Sequence, residues 1–91
     1  MFNDRLRSAR IYRGYTLQQA ADAVDVPLRS YQKYESADSE PDFSMLIKLA
    51  DLYDVPTDFL LGRDESLRKY GVFVDVPPEG PPRRPKPRKN R

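Results

Sequence analysis

Apolar residues recur at helical spacing along the first three quarters of the chain, with polar residues between them. Phe2, Leu6 and Ala9 form one series, and Asn3, Asp4, Arg5, Arg7 and Ser8 occupy the other faces. This predicts an amphipathic first helix, stopped at Gly14. Thr16 stands three residues before Gln19 and just ahead of Leu17, Ala20, Ala21 and Val24. That is a capping-box spacing, and it predicts a second helix over 16–24. Asp25-Val26-Pro27 breaks the pattern, because the residue before a proline is pushed out of the helical region. Pro27 suits the first turn of a third helix over 28–36, which carries Tyr31 and Tyr34 on one face and Arg29, Gln32 and Lys33 on others.

After the polar loop 36–41, Asp42 is placed to cap a fourth helix built on Phe43, Leu46, Ile47, Ala50 and Tyr53. Asp54-Val55-Pro56 repeats the tripeptide at 25–27, so one turn device is expected twice, and a short fifth helix over 57–61 ends at Gly62. Residues 64–69 are expected to form one further helical turn. Val72, Phe73, Val74 and Val76 are β-prone and follow Gly71, which predicts an extended segment. Such a segment lies across the helices, pairs with its own copy or stays loosely ordered.

Composition divides this picture in two. The 91 residues include 16 basic and 14 acidic side chains, a formal charge of +2. Residues 77–91 hold Arg83, Arg84, Lys86, Arg88, Lys89 and Arg91 against Glu79 alone, or +5, while residues 1–76 hold ten basic against thirteen acidic side chains, or −3. The segment 77–91 is rich in proline and has no aliphatic or aromatic residue. It has nothing to offset an ordering entropy of roughly 1–2 kcal/mol per residue, and the expectation is a flexible tail, partly polyproline II. The remaining positions suffice for one small core. The expected organisation is a domain over 1–66, a short extended or dimerisation segment over 67–76, and the basic tail over 77–91.

Several function classes drop out. There is no His and no Cys, which removes the common zinc sites, a Cys nucleophile, a His general base and disulfides. No enzyme activity, catalytic residue, metal, cofactor or small-molecule ligand is therefore expected. No apolar run approaches the roughly 20 residues of a membrane span, and the N-terminus lacks a secretory signal, so the expected location is the cytoplasm. A tight pair of short helices, the second polar on its outer side, suits the major groove of DNA. Small helical bundles in general share that feature.

A set of residues makes the reading more specific. Arg5-Leu6-Arg7, Arg10, Gly14-Tyr15-Thr16, Gln19, Ala21, Val26, Arg29-Ser30-Tyr31-Gln32-Lys33-Tyr34-Glu35, Pro41, Leu46, Lys48, Ala50, Val55 and Asp58-Phe59-Leu60-Leu61-Gly62 resemble, at matching spacing, the lambda-repressor-like (XRE) helix-turn-helix family. The resemblance spans about residues 2–62. It implies an all-α, five-helix DNA-binding domain, a transcriptional regulator and most often a repressor, acting on double-stranded DNA as a homodimer. It implies that Leu28, Arg29, Gln32 and Lys33 face the bases, that Thr16, Gln18 and Ser30 contact phosphates, and that Arg10 and Glu35 form a structural ion pair. The chemistry fits: Arg and Lys suit guanine, Gln suits adenine and Leu suits a thymine methyl.

This chain departs from the family pattern at several points. Leu17 replaces a frequent phosphate-gripping Gln, Ala37 and Asp38 replace a Gly and a basic residue, and Asp25 and Asp54 stand where Gly is common. These changes thin the positive potential that drives non-specific binding. They keep open a second reading, a protein-interaction module or antitoxin-like accessory subunit on the same fold. For the tail, the alternatives are a solubilising end, a basic arm along phosphates, and a polyproline ligand at Pro82-Arg83-Arg84-Pro85. A ligand-sensing or self-cleaving domain is not expected in the 29 residues after Gly62. The expected dimer surfaces are the fifth helix, through exposed Phe59 and Leu60, and the segment 70–76.

Overall fold

The computed structural model describes residues 1–78, and the segment 79–91, which holds nearly all of the expected tail, lies outside the described residues. Six helices follow one another: α1 (Phe2–Tyr12), α2 (Leu17–Ala23), α3 (Leu28–Glu35), α4 (Phe43–Tyr53), α5 (Thr57–Leu60) and α6 (Asp64–Lys69). Among the described residues there is no strand, and no helix is long and apolar enough to cross a membrane.

The starts follow local chemistry. At α2 the Thr16 hydroxyl accepts from the Gln19 amide at 3.0 Å and the Gln19 side chain accepts from the Thr16 amide at 2.9 Å, the complete capping box. At α4 the Asp42 carboxylate accepts from the Met45 amide at 2.8 Å. Pro27 sits one position earlier than expected, as the extended N-cap of α3 with φ −60° and ψ 149°, and Pro56 does the same for α5.

The helix ends share one device. A residue with φ between 53° and 84° follows each helix: Gly14, Asp25, Ala37, Asp54, Gly62 and Gly71. The amide after it reaches back five residues, as in Val26 to the Ala21 carbonyl and Val55 to the Ala50 carbonyl, both at 3.0 Å. The repeated Asp-Val-Pro thus performs one sequence of tasks twice: left-handed stop, back-bonded valine, and extended cap of the next helix. Glycine is the relaxed residue at such a stop, so Asp25, Ala37 and Asp54 hold strained backbone.

The core lies where α1, α3, α4 and α5 meet, with Leu6, Ala9, Tyr31, Leu49, Tyr53, Phe59 and Leu60 out of solvent. Ala20 and Ala21 are also fully buried, and their small side chains let α2 lie close against α3. Phe59 and Leu60 correct an expectation: they face the core rather than solvent, because α5 packs against α1, α4 and α6. Leu61 is the exposed apolar residue at that corner. The segment after α6 takes the first of its three expected courses. It lies across the helices, with Val74 half-buried and Val76 fully buried against the core.

Candidate nucleic-acid interface

The unit formed by α2, its turn and α3 is held from behind by polar contacts. Arg10 of α1 donates from Nε to Glu35 Oε2 at 2.7 Å and from Nη2 to Oε1 at 3.1 Å. Its Nη1 donates to the Tyr15 carbonyl at 3.0 Å, so one guanidinium joins α1, the approach to α2 and the end of α3. The two side chains are 12% and 9% exposed. Burial opposes the Arg10 charge, but the hydrogen bonds and the charge of Glu35 outweigh it and hold the group above its ordinary pKa.

Deeper in the core, the Tyr31 and Tyr53 hydroxyls share a hydrogen bond of 2.6 Å, which ties the middle of α3 to the end of α4. Burial is the main cause that pushes both phenols well above the usual tyrosine range. The Tyr34 ring packs edge-on against Tyr31, and Tyr15 does the same against Tyr53 at 5.5 Å. Sequence spacing placed Tyr31 in the core; the hydroxyl pair, across 22 positions, left no mark in the sequence.

The opposite face of α3 is open. Arg29, Gln32 and Lys33 are exposed, and none of them makes a side-chain hydrogen bond or ion pair among the described residues. Leu28 is half-buried and packs partly on the core. Of the three residues expected at phosphates, Ser30 is half-buried on α3 and Thr16 is occupied by the capping box. Gln18 donates to Asp22 at 2.9 Å. The amides of Leu17 and Gln18 remain as the orphan donors of the α2 start. Among the described residues no group of acidic side chains converges as a metal site requires.

Sequence reasoning missed Arg5, Arg13 and Asp75. Arg5 donates to the Phe59 carbonyl at 3.1 Å and pairs with Asp64 at 2.8 Å, while its guanidinium stacks 5.0 Å from the Phe59 ring. Arg13 caps the end of α4, donating to the Tyr53 carbonyl at 2.6 Å and the Asp54 carbonyl at 3.1 Å. Arg13 lies just past the end of α1, and its partners, 40 and 41 positions on at the end of another helix, leave no local signal in the sequence.

Comparison with known proteins agrees with this geometry. The family model described as "Helix-turn-helix" matches residues 6–60. The HTH-type transcriptional regulator ImmR of Bacillus subtilis is 42% identical over 65 residues, covering 71% of this chain and 51% of ImmR. The cryptic phage CTXphi transcriptional repressor RstR of Vibrio cholerae is 38% identical over 60 residues, covering 66% of this chain and 54% of RstR. The chain thus spans about half the length of these relatives. A crystal structure of a transcriptional regulator from Listeria innocua has the same fold, with a TM-score of 0.61 at 22% identity, covering 82% of this chain and 79% of that one. The match across α1 to α5, together with the braced α2–α3 unit, places this chain in the helix-turn-helix family of the lambda-repressor-like (XRE) type.

Proposed function

We propose that this protein is a sequence-specific, DNA-binding transcriptional regulator acting as a repressor, and that it inserts α3 into the major groove of double-stranded DNA. The observation that carries this reading is the division of α3: Tyr31 is fully buried and bonded from behind, while Arg29, Gln32 and Lys33 project from the other side without partners among the described residues. A recognition helix needs that combination of a fixed axis and a free hydrogen-bonding face. In this reading Arg29 donates a bidentate pair to guanine, Gln32 matches adenine, Lys33 reaches guanine or phosphate, and the exposed part of Leu28 meets a thymine methyl. Thr16, Gln18 and Ser30 lie along the backbone, where Gln18 must exchange Asp22 for a phosphate oxygen.

The same reading has two copies bind a palindromic site. An apolar face supports it: Phe43 and Ile47, one turn apart on α4, are 85% and 55% exposed. Phe43 and Leu61 line a groove with Phe2, Pro41 and Leu46. That face also favours the second reading, a protein-interaction module whose DNA contacts are vestigial.

Selecting bound fragments from random DNA with the full chain and with Arg29→Ala separates the two. A regulator enriches a palindrome, and the variant loses preference at one base per half-site. Absence of enrichment at low salt refutes direct readout and leaves the interaction module.

A further inference from the structure

The two helices of the α2–α3 unit open in the same way. Leu17 is the first residue of α2 after the extended cap Thr16, and Leu28 is the first residue of α3 after the extended cap Pro27. Both leucines are half-buried, and both pack part of their surface on the core. Spacing explains the buried part. Leu17 heads the row of Ala20, Ala21 and Val24, three, four and seven positions on and all buried, while Leu28 heads the row of Tyr31 and Glu35, three and seven positions on. Each leucine thus stands where a packed row ends. Helical side chains lean toward the N-terminus of their own helix, so the remaining surface of both lies at the helix starts, beyond the packed turns.

The polar side chains around Leu17 are held within α2. Thr16 Oγ1 accepts from the Gln19 amide at 3.0 Å, Gln19 Oε1 accepts from the Thr16 amide at 2.9 Å, and Gln18 Nε2 donates to Asp22 at 2.9 Å. Leu17 replaces the phosphate-gripping Gln frequent in the family, and a leucine offers a phosphate no donor. Its surface suits a different feature of a duplex. Among the base edges in the major groove, the C5-methyl of thymine is the apolar group.

We infer that Leu17 is a specificity-determining residue, which together with Leu28 forms an apolar notch for the C5-methyl of a thymine beside the bases read by Arg29 and Gln32. This rests on the DNA-binding reading above and adds to it a base contact from α2. The scale of the unit agrees. Seven residues of α2 rise about 10 Å, so its start stands about three base steps of 3.4 Å from the turn that delivers Leu28, and the two helices pack on each other. Two leucines that close on one methyl remove it from water on both sides, where a single side chain leaves one side wet. A cytosine in that place brings its N4 donor against two side chains that accept no hydrogen bond, so the notch selects against it.

The test uses the full chain, a DNA fragment selected by the parent, and the variants Leu17→Ala, Leu17→Gln and Leu28→Ala. Each thymine of a half-site is replaced in turn by deoxyuridine, which removes the methyl and leaves the pairing edge intact. Burial of one methyl group predicts that the parent loses about three- to fivefold in affinity at one of these positions. In Leu17→Ala and in Leu28→Ala the same replacement is expected to cost less than twofold, and on the deoxyuridine fragment both variants should bind within about twofold of the parent, which also shows that they are folded. Should Leu17→Ala fail to fold by circular dichroism, Leu17→Gln, of similar volume and polar, carries the same comparison. A parent indifferent to deoxyuridine at every thymine, or a selected half-site without thymine, overturns the inference. So does a Leu17 variant that keeps the full methyl loss, which leaves Leu28 alone on the methyl, or one that weakens thymine and deoxyuridine fragments alike, which leaves Leu17 a support of the fold. If the parent selects no fragment, the DNA-binding reading itself falls; if it selects one through Arg29 with no methyl dependence, only the notch falls.

Discussion

Replacing Glu35 by alanine should destabilise the fold. The substitution removes both hydrogen bonds of the bidentate pair with Arg10 and leaves that guanidinium, 12% exposed, with the Tyr15 carbonyl as its remaining acceptor among the described residues. Breaking a fully buried ion pair from one side costs about 3–5 kcal/mol, and the slight exposure here points to the lower end, about 3 kcal/mol. A domain with about 78 ordered residues has a total stability of roughly 4–12 kcal/mol, so the loss is a large fraction of it. At roughly 4–8 °C per kcal/mol, Tm should fall by about 12–24 °C. Far-UV circular dichroism against temperature and urea is the assay, since the chain has six tyrosines and no tryptophan. The double variant Arg10→Met, Glu35→Leu removes both charges and should recover more than half of the loss. A Tm for Glu35→Ala within a few degrees of the parent, or a double variant as unstable as the summed singles, would refute the reasoning.

Three further outcomes follow from the same contacts. Tyr53→Phe strips the Tyr31 hydroxyl of its buried partner and should cost about 1–2 kcal/mol in urea unfolding; because both phenols are raised by burial, stability present below pH ~10 should be lost as pH rises, with these two tyrosines ionising only on unfolding in an absorbance titration. Ala37→Gly relieves a left-handed alanine at φ 69°, worth about 1–2 kcal/mol, against a smaller entropic cost in the unfolded chain, so the urea midpoint should rise by the equivalent of about 0.5–1 kcal/mol; a lower midpoint would contradict the strain. Hydrogen bonds from Arg5 and Arg13 hold Asp64 and Asp75 below the usual carboxylate range, so their contribution is present above pH ~4 and lost as pH falls through the lowered values, and Asp75→Asn should flatten the acid limb of a stability profile.

How far the fold could be read from the chain depended on the range of the forces involved. α1 to α4 were legible because each carries an apolar stripe of period near 3.6 and a stop or cap within a few residues, as with Thr16 and Gln19 or Asp42 and Met45. α5 was placed correctly, but its face was not. Four residues give too little periodicity to show that Phe59 and Leu60 point inward, and that follows only from α1 and α4 closing over them. The segment after α6 was least legible. Val72, Phe73 and Val74 have β-prone side chains, yet no partner edge exists among the described residues, so the segment lies irregularly where Val76 finds the core and Asp75 finds Arg13, 62 positions away. At the candidate interface, the face of Arg29, Gln32 and Lys33 was visible from spacing and from family resemblance. The bracing through Tyr53 and Arg13 was not, because it joins groups remote in sequence.

The placement of charge explains why such bracing matters in this chain. A helix-turn-helix unit surrounded by basic residues has a strong non-specific hold on DNA. Here Asp25 occupies the turn between α2 and α3, Asp38 follows α3, and the outward face of α3 offers only Arg29 and Lys33 as cations. In the proposed DNA-binding reading, so few attractive contacts must each be made at good geometry, and a bidentate Arg29 contact would discriminate by roughly 1–3 kcal/mol only with the helix axis fixed. Arg10 with Glu35 fixes the end of that axis, and Tyr31 with Tyr53 fixes its middle. In that reading the buried polar contacts of this small core serve orientation as well as stability, and the acidic surface around α3 is what makes the orientation matter.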